Sequence, residues 1–154
     1  GTPGGCADRT AVDARTDVIT YDTRPLDRPW SLAGTPAADL QCRSDAQSFD
    51  ICAVLSQVDE AGRSSYLTHG ALRVRSAVPE GRYRLAMRPL CARIDVGRRL
   101  RVSISAARYP ALDVNPGTGA RSADARLVEQ RVITLVLDPG QSRLQLPVID
   151  REAA

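Results

Sequence analysis

Three observations predict an all-β protein, a sandwich or jelly roll. Short runs alternating apolar with polar residues recur at about 8–12-residue intervals. Turn-forming Gly, Pro, Asp and Asn separate them, and no segment carries a helical stripe of useful length.

The opening stretch, residues 1–15 (GTPGGCADRTAVDAR), has early Gly and Pro and no sustained period, so it reads as a linker or surface-hugging arm. DVITY (17–21) is the first strand, followed by the turn-rich DTRPLDRP. WSLAG (30–34) leads into ADLQCRS (38–44), where Leu40 and Cys42 alternate with polar neighbours. DICAVLSQV (50–58) ends at the turn DEAGR before SSYLTHGALRVRS (64–76). GRYRLAMRPL (81–90), RRLRVSISA (98–106), RVITLVL (131–137) and RLQLPV (143–148) complete the strands. ARSADARLVEQ (120–130) is the one stretch that fits a short helix, with an irregular loop as its alternative. Period-two alternation places Ala38, Leu40, Cys42, Ala53, Leu55, Leu100, Val102 and Ile104 on inward faces.

With 43% hydrophobic residues the chain is expected to fold around a core, one built from Val, Leu, Ile and Ala because Phe, Trp and Met occur once each. No apolar run is long enough to cross a bilayer, so no membrane partner is expected. All 21 basic residues are arginine, spread singly and interleaved with acids. Nucleic-acid binders concentrate basic charge on one face and add stacking aromatics, so no nucleic-acid partner is expected either. Cys6, Cys42, Cys52 and Cys91 lack CxxC spacing and one histidine accompanies them, which argues against a metal site. Their even number permits two disulfides without specifying them. Cys42 shares the alternation of Ala38 and Leu40 and reads as a small buried hydrophobe.

Nucleophilic catalysis needs a nucleophile, an adjacent base and usually an orienting group. There is no Gly-x-Ser-x-Gly elbow, and His69 is the only imidazole. Beside Gly70 it reads as an exposed polar residue at a turn or strand end. PGTGA lacks the lysine and following helix of a phosphate loop. No catalytic, cofactor-binding or metal-ligating residue is therefore assigned, and the chain by itself is not expected to be an enzyme.

Several stretches together resemble one family. DVITYDTRPLDRPWSLAGTP is similar to the entry of the C-terminal domain of the X-Pro dipeptidyl-peptidase and cocaine esterase group. RSDAQSFDICAVLSQVDEAGRSSYLTHGALRVR, GRRLRVSISAARYPALDVNPGTG and QSRLQLPVI resemble its later motifs in the same order, and GGCADRTAVDAR resembles its leading arm. The likeness runs from about residue 4 to 149. It implies a jelly-roll β-sandwich with a galactose-binding-domain-like fold over residues 16–150, with 1–15 as the arm from a preceding catalytic domain. It also implies a partner: an α/β-hydrolase domain of the same polypeptide, carrying the serine, aspartate and histidine of the triad. The sandwich would pack on it and help wall the substrate cleft. The chain departs from the usual pattern at Gln57, His69, Arg98 and Leu137, while Asp50 is retained.

The loop 45–51, DAQSFDI, matches a stretch that in the family lies towards the catalytic domain. An aromatic on a loop is either a plug for the sandwich or an anchor for a partner. Phe49, Asp50 and Ile51 are accordingly the candidate domain-interface residues. The long loop within 97–119, with Tyr109 and Pro110 as apolar anchors and Asn115-Pro116-Gly117 as a turn, is expected to close one end of the sandwich. It is also the segment placed to contact the hydrolase. The alternative function is a free-standing jelly-roll module that captures a carbohydrate or peptide on aromatic platforms drawn from Tyr21, Trp30, Phe49, Tyr66, Tyr83 and Tyr109. The sequence leaves homo-oligomerisation open and fixes no compartment, with a lean to the cytoplasm.

Overall fold

The computed structural model describes residues 7–75, 80–108 and 111–149. Among them the strands are β1 (Val18–Asp22), β2 (Trp30–Gly34), β3 (Ala37–Ser44), β4 (Phe49–Val58), β5 (Ser64–Val74), β6 (Glu80–Ala86), β7 (Leu90–Ile94), β8 (Arg99–Ser105), β9 (Leu135–Gln145) and β10 (Val148–Ile149). All pair antiparallel, in three sheets ordered β1-β8-β4-β5, β10-β2-β7 and β6-β3-β9. The fold is an all-β sandwich. β1 lies beside β8, and β4 bridges β8 and β5, so sheet neighbours are distant in sequence.

One cluster of buried side chains serves all three sheets. It joins Leu32 of β2, Ala38, Leu40 and Cys42 of β3, Phe49, Ile51, Ala53 and Leu55 of β4, Leu85 of β6, Ile94 of β7, and Leu100 and Ile104 of β8. Seven of the eight alternation-derived positions are buried, and the eighth, Val102, is half-buried against the same cluster. Leu100, at 2% exposure, is tightly enclosed. Leu100→Ala should cost about 2–5 kcal/mol through lost burial and the cavity left behind. Chemical denaturation measures it, and a loss below about 0.5 kcal/mol would reassign that face of β8 to the surface.

Some boundaries differ from the sequence expectation. Met87-Arg88-Pro89 breaks what reads as one run, and β7 begins beyond it at Leu90. The segments 131–137 and 143–148 are mostly one strand, β9, because β3 pairs with both of its halves. Asp138 lies opposite Gln41 and Arg143 opposite Asp39, so Pro139 to Ser142 bulge out across from Leu40. Pro139 has no N–H for the ladder, and Ser142 Oγ accepts from the Gln41 N–H instead. In 120–130 the regular element is a 3₁₀ turn, Leu127–Glu129. The arm contains one helical turn, α1 (Thr10–Asp13), which carries no periodic signal because it is a single turn.

Candidate functional site

β4 is buried along both faces. Asp50, Cys52, Val54 and Ser56, on the side away from the core cluster, are as enclosed as Phe49, Ile51, Ala53 and Leu55. Two segments cover that outer side. The arm adds to β5 through Arg9 N–H to Ser64 C=O (2.8 Å) and Tyr66 N–H to Ala7 C=O (3.0 Å). It places the buried Asp13 carboxylate to accept from Ser64 Oγ at 2.6 Å and Ser103 Oγ at 2.8 Å. The other segment is the long connection from β8 to β9.

That connection is tied down by one buried polar network. Arg73 of β5 donates to both Asp50 carboxylate oxygens, Nε and Nη2 each at 2.8 Å. The Asn115 amide donates to Asp50 Oδ1 at 2.9 Å, and its carbonyl oxygen accepts from Ser48 Oγ (2.7 Å) and Gly117 N–H (3.0 Å). Gly119 N–H reaches Ser48 Oγ at 3.1 Å, and Arg73 also donates to Ser122 Oγ and the Asp113 carbonyl. A fork of two parallel charge-assisted bonds holds geometry as well as energy. Gly117 has φ of +77°, where a side chain is strained, and a Cβ there would press on Ile133 at 3.2 Å. The stretches DAQSFDI and NPGTG are thus two halves of one structure: Ser48 and Asp50 from the first hold Asn115 and Gly119 from the second, and Gln47 N–H donates to the Gly117 carbonyl.

This placement corrects the reading of Phe49, Asp50 and Ile51. The three begin β4 rather than ending a loop, and their exposures are 0%, 2% and 0%. Phe49 meets Tyr83 edge to face at 5.4 Å inside the core. None of the three presents surface; Asp50 supports the surface from below. Tyr109 and Pro110 lie outside the described residues. The large apolar side chains exposed on the described part of the loop are others: Val114 (54%), Val128 (87%) and Val132 (93%). Sequence reasoning missed them because Val114 and Val128 fall in stretches read as loop or short helix without a reason to single out a valine, and Val132 falls in RVITLVL, which reads as strand. Their one available signal was the absence of strict alternation there.

His69 also departs from expectation. It lies within β5, half-buried, with Tyr66 Oη 2.5 Å from its Nδ1. Burial, reinforced by the charges of Arg108, Arg88 and Arg9, pushes it down from 6.5 to about 4. At neutral pH the imidazole is therefore uncharged. The chain brings Arg88 to it through tight strand contact: Arg88 N–H donates to the His69 carbonyl (2.9 Å), and Thr68 Oγ1 donates to the Arg88 carbonyl (2.7 Å). Gly70 permits this approach, since a Cβ there would stand 2.4 Å from the Ala86 carbonyl oxygen.

The described cysteines, Cys42, Cys52 and Cys91, are free thiols. Burial pushes Cys42 and Cys52 up to about 11, so neither is a thiolate near neutrality. Of the described aromatics Tyr21 is exposed, at 38%, and the other four are buried or half-buried.

The model of the X-Pro dipeptidyl-peptidase C-terminal non-catalytic domain matches residues 2–145. The chain belongs to that family. A cocaine esterase of Rhodococcus sp. (strain MB1 Bresler) is 30% identical over 162 residues, which take in 96% of this chain and 28% of that protein. The domain therefore spans little more than a quarter of the curated relative it matches. Two solved structures share the fold. An aminopeptidase from a marine sediment Thaumarchaeota archaeon superposes with a TM-score of 0.87 at 21% identity, over 94% of this chain and 28% of that one. An α-amino acid ester hydrolase superposes at 0.85 with 23% identity, over 94% and 27%. The sandwich is the non-catalytic domain of that family, and the loop network and arm lie on a single face of its four-stranded sheet.

Proposed function

We propose that this domain is the non-catalytic accessory domain of an α/β-hydrolase-type serine hydrolase, of the dipeptidyl-peptidase or acyl-esterase kind. It packs on the catalytic domain of the same polypeptide and helps shape the substrate cleft. Residues 1–15 are the arm from that domain, and 16–150 the jelly-roll sandwich. The named relatives are an esterase, an amino acid ester hydrolase and an aminopeptidase, and cleavage of an acyl–oxygen or acyl–nitrogen bond is common to all three.

The observation carrying this reading is the β8–β9 loop. A buried ion pair and an asparagine hold its backbone, yet it exposes Val128 and Val132 almost completely. Exposed apolar side chains on a loop tied down between Asp113 and Ser122 suit docking against a second protein surface, because less ordering entropy remains to be lost. Asp50 contributes by holding the loop, and Phe49 and Ile51 by seating the strand beneath it.

The test is Val128→Asp/Val132→Asp. In the 154-residue chain the double variant should shift stability by less than about 0.5 kcal/mol per site, as exposed positions do. In the polypeptide that includes the catalytic domain, it should separate the melting of sandwich and catalytic unit and raise KM, because a carboxylate would be buried without a partner. Unchanged melting and KM in the longer polypeptide would overturn the docking face. Ester or X-Pro amide turnover by the 154-residue chain alone, abolished by His69→Ala, would overturn the accessory role.

A further inference from the structure

Beside the loop network lies a second feature that the docking face does not use. His69, Arg88 and Arg108 line an open depression of about 550 Å³ whose remaining wall includes Ala71, Pro89 and Leu112. The arginines of this region otherwise come with acids. Arg9 holds Asp13, Arg73 holds Asp50, and Arg101 holds Asp22. Arg108 is as half-buried as these three and has no carboxylate partner among the described residues.

Its burial and the like charges of Arg9 and Arg88 destabilise the Arg108 cation, holding it below its ordinary value. The groups facing it with any opposing tendency are Tyr66 and Cys52, and burial keeps the Cys52 thiol protonated near pH 7. Arg9 adds a buried Nε without a hydrogen-bond partner. Arg108 and Arg88 thus stand beside one neutral imidazole with no carboxylate among the residues lining the depression, while the charge of Arg9 close by is balanced by Asp13. Such an arrangement costs free energy unless an anion completes it.

We propose that this depression is a carboxylate-binding site, with Arg108 and Arg88 as the charged donors and His69 as a neutral one. The assignment is independent of the valine face. Tyr66 Oη lies within hydrogen-bond distance of His69 Nδ1, and a carboxylate in the depression would select the tautomer in which Nδ1 accepts from Tyr66 and Nε2 carries the proton as a donor. A guanidinium fork matches the two oxygens of a carboxylate. The wall of Ala71, Pro89 and Leu112 is apolar, so it accepts a carboxylate on a short apolar stem better than a fully hydrated phosphate. Two sources share that chemistry: an Asp or Glu side chain of the larger polypeptide, and a free organic acid.

His69 is the single histidine of the chain, so its imidazole resonances report on the site without ambiguity. They are followed in the 154-residue chain from pH 8 down to the acid limit of the fold, with butyrate, phosphate or chloride at constant ionic strength. Butyrate should raise the His69 pKa from about 4 by roughly one pH unit, because a bound negative charge favours the imidazolium. Chloride should leave it unmoved. Arg108→Gln should raise the pKa without ligand and cut the butyrate response at least about threefold. Arg143→Gln, on β9 in the other layer, should change neither.

A His69 pKa indifferent to butyrate, or an Arg108→Gln variant that responds like the parent, would overturn the site. A stronger response to phosphate than to butyrate would overturn the carboxylate assignment. In the polypeptide carrying the catalytic domain, a pKa already raised and silent to butyrate supports the site and identifies its occupant as an internal side chain. A retained response supports the site and identifies a free acid.

Discussion

Asp50→Ala is expected to destabilise the domain by about 3–5 kcal/mol, the cost of leaving one member of a buried ion pair without its partner. Asp50 is 2% exposed, and its loss strands Arg73, whose side chain is 25% exposed, together with the Asn115 amide. The damage should spread along the loop. Gly117 and Gly119 N–H groups are bound to Asn115 and Ser48, so their hydrogen-exchange protection should fall with the global stability. The double variant Asp50→Ala/Arg73→Leu should lose less than the two single variants predict by addition, since it leaves no uncompensated cation. Urea denaturation measures all three. A loss under about 1 kcal/mol for Asp50→Ala, with loop protection intact, would show that the network does not hold the loop.

Phe49→Ala should cost a similar amount, about 3–5 kcal/mol, and lower the melting temperature by on the order of 10 °C. The ring is wholly buried in the cluster that joins the sheets, and it also loses its edge-to-face contact with Tyr83, worth about 0.5–1.5 kcal/mol. Phe49→Leu, which refills most of the volume, should recover a large part of the loss. If Phe49→Ala leaves melting unchanged but weakens the hold on the catalytic domain, the side chain is a surface anchor and its core placement is wrong.

The contrast between Phe49 and Val132 shows where sequence reasoning reaches its limit. DAQSFDI reads as a loop because Asp, Ser and Gln surround the aromatic, and a loop aromatic invites an interface assignment. Strand β4 in fact starts at Phe49, and its outer face is buried beneath the β8–β9 loop and the arm. That cover is tied down by hydrogen bonds spanning 51 to 90 positions in sequence, beyond the reach of any local pattern. The ion pair was equally hidden. Counting back from the DEAGR turn in simple register sets Asp50 opposite Leu72. The bulge at Leu67 advances β5 by one residue and brings Arg73 there instead. A shift of one residue exchanges which side chains face outward, so the bulge decides whether the loop has an anchor.

What the sequence determined by itself was the all-β class, the alternation that buries Leu40, Ala53, Leu55, Leu100 and Ile104, and the ordered motifs that identify the family. These are properties of short windows: a period of two, turn residues, and a series of motifs along the chain. Only the tertiary structure decided that Asp50 pairs with Arg73, that Asn115 locks onto both Ser48 and Asp50, that Val128 and Val132 stand out from the loop, and that Arg88 and Arg108 gather around His69. Each depends on strand order and register, which place β8 between β1 and β4 and draw together side chains separated by tens of residues. Local propensity carries no record of such distances, because the free energy that sets them comes from burial and charge pairing that exist only once the sheets have closed.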